Sequence, residues 1–171
     1  MKFAGACNVT ARPLHLAQRD IGRRIAPRHD PAAFLNAVDA VNGIGKRSPG
    51  FVWMMEGSGG PGTGNTQTER DGDAQAIGGL SVWDDSESLE AFVCNTGRRR
   101  FHARRGEWCA LLGTQHRVMW WIAPGHRPAL EEAGARLDHL NIHGDSEHAF
   151  GWAWRPEAQL WRSRNCTRAA G

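Results

Sequence analysis

Residues 16 to 55, LAQRDIGRRIAPRHDPAAFLNAVDAVNGIGKRSPGFVWMM, decide the fold because they predict a strand, a helix and a second strand in close succession. Side chains from Leu16 to Ile25 alternate between two faces of a strand, and Gln18 and Asp20 share one of them. Asp30 is a suitable N-cap for a helix opening at Pro31. The inward stripe of this helix is Phe34, Leu35, Val38, Val41, Asn42 and Gly45. A strand over Phe51–Met55 follows and completes a β-α-β unit.

The rest of the chain extends this unit into a larger α+β pattern. The further elements are a strand over Ile77–Trp83, a helix that starts after Asp84–Ser86 and runs on to Trp108, a strand over Arg117–Ala123, a helix from Pro128 to Gly144 and a strand over Ala149–Trp154. This order predicts a ferredoxin-like split βαβ sandwich with an extra C-terminal helix and strand. Such a sheet is covered on one face only, so we expect a second copy to cover the other face, giving a homodimeric α/β barrel.

Composition predicts one compact domain. The 171 residues, 40% of them hydrophobic, suffice for a single core over residues 14–155, with an N-terminal extension over 1–13 and a flexible tail over 156–171. The net charge of +3 is mild, and the arginines between 98 and 105 wrap around their helix, so no nucleic-acid partner is expected. No stretch approaches the roughly 18 apolar residues of a membrane span. We therefore expect a cytoplasmic protein without a membrane partner.

The cysteines and the glycine-rich stretch do not predict a cofactor site. The four cysteines have no CxxC spacing, which indicates neither a zinc site nor a disulfide framework. The stretch from Gly57 to Asp73 lacks the Lys-Ser/Thr pair of a phosphate-binding loop, so we expect a long loop or a lid there. No metal and no cofactor are predicted.

Two arginines, Arg98 and Arg105, lie on the apolar side of the helix that is predicted to run to Trp108. Ala91, Cys94, Arg98, Phe101, Arg105 and Trp108 recur at steps of three and four and so share one stripe. A buried guanidinium requires a carboxylate, a cluster of carbonyl groups or an anionic ligand as its partner. We hypothesise that Arg98 orients an acidic or enolate oxygen while Asp20 moves a proton, with His102 one turn further on. A purely structural Asp20–Arg98 ion pair fits the same pattern.

Tryptophan is unusually frequent, with eight Trp and no Tyr. Most of these rings are expected in the core, but they also suit the wall of a cavity for a polycyclic substrate. The candidate substrate contacts are Gln18, Trp53, Met55, Trp83, Cys94, Phe101 and Trp121. Strand parity places Trp53 with Met55 and Ser81 with Trp83.

Four segments resemble a bacterial family named domain of unknown function 3291: LAQRDIGR, RSPGFVW, LSVWDDSESLEAFV and MWWIAPGHRPALEEAGARLDHL. The resemblance covers most of residues 14–155. It implies the dimeric α/β-barrel superfamily, which includes antibiotic-biosynthesis monooxygenases and haem-degrading monooxygenases. The family usually has Asn at Asp20, an aromatic residue at Cys94 and His at Arg98. An arginine at that last position removes a possible metal ligand and argues against haem.

The resemblance and the candidate residues together imply a small-molecule enzyme of secondary metabolism. Its expected substrate is apolar and oxygenated, polyketide-like or polycyclic, and the reaction is cofactor-independent oxygenation or a cyclisation or isomerisation. One alternative is a non-catalytic small-molecule-binding protein. A second is a haem protein that uses His102 or Cys94.

Overall fold

The computed structural model describes residues 14–24, 31–56, 76–94, 109–110, 117–152 and 154. Its elements within these ranges are β1 (His15–Arg24), α1 (Pro31–Lys46), β2 (Phe51–Met54), β3 (Ala76–Trp83), α2 (Ser86–Val93), β4 (Cys109–Ala110), β5 (Arg117–Ile122) and α3 (Leu130–His143). The predicted extension over 1–13, the loop over 57–73 and the tail over 156–171 lie outside the described residues.

The strands form one antiparallel sheet with β1 at its centre. β3 pairs with one edge of β1, and β2 continues the sheet beyond β3. The other edge of β1 pairs with β5 over residues 15–20 and with the short β4 at residues 23 and 24. The order β2-β3-β1-β5 is that of the ferredoxin-like α+β fold, which confirms the predicted fold class.

Both faces of the sheet are covered by helices of the same chain. We call the side that carries Leu16 and Gln18 the first face; its apolar residues pack with α1 and α2, and the buried cluster is Leu16, Val41, Trp83, Leu89, Phe92, Met119 and Phe150. The opposite side is the second face, where the buried cluster with α3 is Ala17, Leu80, Val82, Val118, Trp120, Ile122, Ala133, Leu137, Leu140 and Ala149. The expectation of one uncovered face was wrong, because α3 folds back with its apolar stripe over the sheet. The homodimer was predicted to cover that face, so this argument for it no longer holds. The homodimer itself stays a prediction.

Helix α2 begins where the sequence predicts and ends earlier. Asp85 caps it, with its Oδ1 accepting the backbone N–H of Ser88 at 2.7 Å. The helix ends at Val93, with Cys94 as its C-cap. The prediction of one continuous helix from this start to Trp108 was therefore wrong. Ala91 is exposed, whereas Leu89, Glu90 and Phe92 are the buried positions. The sheet selects this side because the Phe92 ring stacks on Trp83 with centroids 4.9 Å apart.

The strand predicted over Ala149–Trp154 is reduced to one bridge. Phe150 exchanges two backbone hydrogen bonds with Met119, of 2.8 and 2.9 Å. On either side the chain bends, because the Asp145 carboxylate accepts the Gly151 N–H at 2.7 Å and Ser146 N–H donates to the Ala149 carbonyl. These local bonds satisfy groups that a ladder would otherwise use. The end of α3 at Gly144, which has φ +75°, is confirmed.

Candidate functional site

The first face of the sheet changes from apolar to charged along the strands. Antiparallel pairing aligns residues of β5, β1 and β3 into rows, and residues two apart on a strand lie on the same face. The three successive rows are Trp121–Leu16–Trp83, then Met119–Gln18–Ser81, then Arg117–Asp20–Gly79. The period of two confirms that Gln18 and Asp20 share a face, and it places a charged pair at the end of an aromatic surface.

Asp20 and Arg117 form an ion pair across neighbouring strands. Arg117 Nη2 donates to Asp20 Oδ2 at 2.7 Å, and the two side chains are 15% (Arg117) and 22% (Asp20) exposed. The pair is therefore sheltered but reachable. The Arg117 guanidinium carbon lies 5.9 Å from the centre of the Trp152 ring, within cation–π range. The Nε–H of Arg117 is buried and has no hydrogen-bond partner among the described residues.

The ion pair gives Asp20 a partner other than the one expected. A guanidinium in contact with a carboxylate favours its ionised form, so the pair places a carboxylate and a positive charge side by side on this face. Arg98, Phe101 and His102 lie outside the described residues, and their predicted roles stay predictions. The described residues thus bring Asp20 together with an arginine that the helix stripe did not indicate.

A buried hydrogen-bond chain lies beside the charged pair. Trp83 Nε1 donates to Ser81 Oγ at 3.0 Å, and Ser81 Oγ donates to Gln18 Oε1 at 3.3 Å. The chain orients the Gln18 amide on the row next to Asp20. Trp83 itself is fully buried between Phe51 and Phe92, so its ring serves the core. Trp121 is on the same face, half-buried, with its ring centre 6.2 Å from that of Phe150.

Trp53 and Met55 do not join the residues around Asp20. A register irregularity between Phe51 and Trp53 places Trp53 opposite Val82, and both Trp53 and Met55 pack against the second-face cluster. Grouping them with Gln18 and Trp83 in one cavity was therefore wrong. Trp53 instead lines a separate open cavity of about 480 Å³ at the edge of β2, with Lys46, Phe51, Val52, Met54, Glu56 and Arg127.

Cys94 is disulfide-bonded, contrary to the expectation of no disulfide. The cysteine spacing gave no signal because the pairing of distant cysteines depends on the fold. A sulfur in a disulfide is not a thiolate ligand, so the haem alternative through Cys94 has no support in this state.

The sequence patterns did not indicate that two charged residues, Arg19 and Glu90, are buried. Glu90 is 1% exposed on the inward side of α2, and a helix phase set by Leu89 and Phe92 would have indicated it. Arg19 is buried on the second face, where its Nη1 donates to the Leu130 carbonyl at 3.1 Å. That bond ties the start of α3 to the centre of the sheet.

Across the described ranges, no three His, Cys, Asp or Glu side chains are grouped so that they could hold a metal ion. In that same part of the chain, every helix is too short or too polar to cross a lipid bilayer.

Comparisons with known proteins give one family. The family model described as "Domain of unknown function (DUF3291)" matches residues 15–166. No curated protein matches the chain.

Solved structures that are similar to the chain include three bacterial proteins. PA3566 from Pseudomonas aeruginosa is 16% identical, with 69% of this chain and 98% of that one covered and a TM-score of 0.45. SO0527 from Shewanella oneidensis is 10% identical, with 64% and 92% covered and a TM-score of 0.48. SnoaB from Streptomyces nogalater, described as a cofactor-independent oxygenase, is 17% identical, with 70% and 99% covered and a TM-score of 0.43.

Proposed function

The chain belongs to the DUF3291 family, and we propose that it is a small-molecule enzyme in which Asp20 and Arg117 remove a proton from an apolar, oxygenated substrate. The observation that carries this proposal is the sheltered, reachable ion pair at the end of an aromatic face. An ionised carboxylate is a base, and a guanidinium beside it can stabilise the negative charge that proton removal creates.

The proposed first step is the same for all the reactions expected from the sequence. Asp20 accepts the proton of a C–H bond next to a carbonyl, and the electron pair of that bond moves to the carbonyl oxygen. The resulting enolate oxygen lies against Arg117, whose Nε–H is an unused donor among the described residues. Dissolved O2 can then bond to the enolate carbon and take up the proton from Asp20, which leaves a hydroperoxide on the substrate. Alternatively, the enolate carbon can attack a second carbonyl of the same molecule, or regain a proton at another carbon. These outcomes correspond to oxygenation, cyclisation and isomerisation.

The substrate class follows from the surroundings of the pair. Trp152 lies over the guanidinium, and Trp121 and Phe150 continue the aromatic surface along the face. Flat rings favour a flat, largely apolar ligand with few polar groups, such as a polycyclic or polyketide-like ketone or phenol. Gln18, one row away on the same face, supplies a polar contact for a second oxygen.

The same proposal includes a homodimer, a cytoplasmic location and chemistry without a cofactor. The dimer is tested by light scattering on the purified chain; a monomeric mass would remove it. Arg98 and His102 are proposed as further groups near the reacting atoms, tested by the exchange assay below in Arg98→Met and His102→Asn variants.

Proton removal can be measured before the natural substrate is known. The probe is β-tetralone, a bicyclic ketone with acidic C–H bonds, whose deuterium uptake in D2O is followed by mass spectrometry with and without the protein. We expect Asp20→Asn, which keeps an oxygen for Arg117, to lower the catalysed exchange about 100-fold or more, as for loss of a general base. Glu131→Gln, which neutralises an exposed carboxylate on α3, is the matched control and should retain full exchange.

Binding of the probe, followed by tryptophan fluorescence, separates enzyme from carrier. Retained binding in Asp20→Asn together with lost exchange supports the enzyme. Wild-type protein that binds β-tetralone without accelerating exchange would overturn the proposed step and favour the non-catalytic binding protein.

A further inference from the structure

The middle of α3 is joined to the segment that follows the helix by an arginine–histidine contact. Arg136 Nη1 lies 2.8 Å from His148 Nδ1 and donates to the His148 carbonyl at 2.7 Å. On its other side Arg136 has the Glu132 carboxylate at 3.8 Å and the Trp120 ring at 6.0 Å. We call the Arg136–His148 contact the clasp.

The clasp fixes the protonation state of His148. A guanidinium has only N–H donors, so the Nδ1 atom that faces it must offer a lone pair. His148 is therefore neutral, with its proton on Nε2. Protonation would place a second cation against Arg136 and remove the acceptor. The same tautomer leaves His148 unable to bind a metal ion through Nε2 while the clasp is closed.

The clasp belongs to a cluster of imidazoles. The His139 ring centre is 4.6 Å from those of both His143 and His148, and Ser146 Oγ is 3.2 Å from His139 Nε2. Besides Arg136 and the three histidines, the ionisable groups of the two elements that meet here are Glu131, Glu132, Asp138, Asp145 and Glu147. A positive charge on His148 would thus lie close to the Arg136 guanidinium and to the His139 ring, and a charge on either neighbour would repel it.

The segment after His148 leads directly to the proposed site. Ala149 is fully buried, and Phe150 is bonded to Met119 of β5 through both backbone groups. Trp152, two residues further, lies over Arg117. His148, the strand bridge at Phe150 and the indole of Trp152 thus follow one another along residues 148–152.

We propose that Arg136 and His148 form a proton-sensitive clasp that positions Trp152 against Arg117, and that protonation of His148 opens it and frees the indole. Its effect on catalysis rests on the proposed function, because Arg117 is the group that would contact the enolate. The movement of Trp152 is independent of any reaction.

Electrostatics set the pH range of the clasp. Burial, followed by the charges of Arg136 and His139, lowers the pKa of His148 from its ordinary 6.5. A histidine whose pKa is lower in the folded chain binds protons more readily when released. The clasp should therefore be closed above pH 6.5 and open progressively as the pH falls below that value.

The test follows the indole N–H resonance of Trp152 by NMR, assigned from a Trp152→Phe spectrum, between pH 7.5 and 4.5. In the wild type it should shift with a midpoint below 6.5. His148→Asn places an amide oxygen where Nδ1 was and cannot titrate, so its resonance should stay at the high-pH position. His148→Lys carries a permanent charge and should show the low-pH position at pH 7.5.

Controls make the result specific. His15→Asn removes an imidazole that pairs with Asp84 and belongs to β1, and the Trp152 resonance of this variant should titrate as in the wild type. Circular dichroism at each pH shows that the variants remain folded. A Trp152 resonance that does not move in the wild type, or that moves equally in His148→Asn, would overturn the clasp.

Deuterium exchange of β-tetralone, measured over the same pH range, separates this inference from the proposed function. Loss of exchange at low pH in the wild type, rescued in His148→Asn, supports both. A titrating Trp152 in a protein that catalyses no exchange sustains the clasp and refutes the enzyme. Catalysed exchange in a protein whose Trp152 resonance does not move with pH supports the enzyme and refutes the clasp.

Discussion

Among the described glycines, Gly50 is the one where an added methyl group should be most destabilising. It precedes β2 with φ +73°, and its carbonyl accepts the Asp84 N–H at 2.8 Å. A Cβ built on Gly50 would overlap Oγ and Cβ of Ser88 at the start of α2. Gly50→Ala therefore meets two separate penalties, one from the backbone conformation and one from the helix above it.

The chain offers a control that carries only the first penalty. Gly125 has φ +84° and no atom within 4 Å of an added Cβ. A left-handed residue other than glycine costs about 1–2 kcal/mol, so Gly125→Ala should lower the free energy of unfolding by that amount. Gly50→Ala adds overpacking of about 1–3 kcal/mol, for a total of about 2–5 kcal/mol.

Thermal unfolding distinguishes the two variants. A loss of 1 kcal/mol lowers Tm by about 2–4 °C in a chain of this size. We expect a fall of about 2–8 °C for Gly125→Ala and about 4–20 °C for Gly50→Ala. Adding Ser88→Gly to the second variant should recover the steric part of the loss and leave the conformational part. Equal losses at the two glycines, or no recovery, would refute the packing of Gly50 under α2.

Three further predictions concern the core and the two faces of the sheet. Leu137→Ala should cost about 2–5 kcal/mol, whereas Ile142→Ala, at a side chain 74% exposed on the same helix, should change unfolding by less than about 0.5 kcal/mol; urea denaturation compares them. Replacing the ion pair by Asp20→Leu with Arg117→Met should leave Tm within a few degrees, because an apolar pair can match a sheltered ion pair in stability, while exchange of β-tetralone is lost. Trp53→Phe should leave that exchange within about twofold, since Trp53 lies on the second face; a tenfold loss would contradict the assignment of faces.

Elements with local signals were predictable from the sequence. The start of α2 at Asp84–Ser86, the opening of α1 at Pro31 and the stop at Gly144 depend on residues next to one another in the chain, and all three are confirmed. The prediction of a strand over Ala149–Trp154 was wrong, and local interactions are again the reason. Its alternating rings satisfy the strand pattern, but a ladder requires a partner, and the side chains of Asp145 and Ser146 bond the backbone first.

The site was predictable only up to the register of the sheet. A period of two suffices to place Gln18 beside Asp20, whereas the partner of Asp20 depends on which residue of β5 lies opposite it. That register is set by distant packing, which brings Leu16 opposite Trp121 and therefore Asp20 opposite Arg117. The helix stripe around Arg98 was misjudged at its start because two inward sides fit the sequence equally well. Among the described residues, the packing of Leu89 and Phe92 against the sheet selects between them.

Stability alone gives little reason for a carboxylate and a guanidinium on this face. Sheltered ion pairs gain in attraction about what they lose in hydration, and apolar substitutes are often as stable or more so. The neighbouring rows already show that leucine, methionine and tryptophan fill such positions. The Asp20–Arg117 pair also keeps a reachable carboxylate and a donor at Arg117 Nε that no described residue uses. A ligand oxygen at that donor would account for features that folding leaves unexplained.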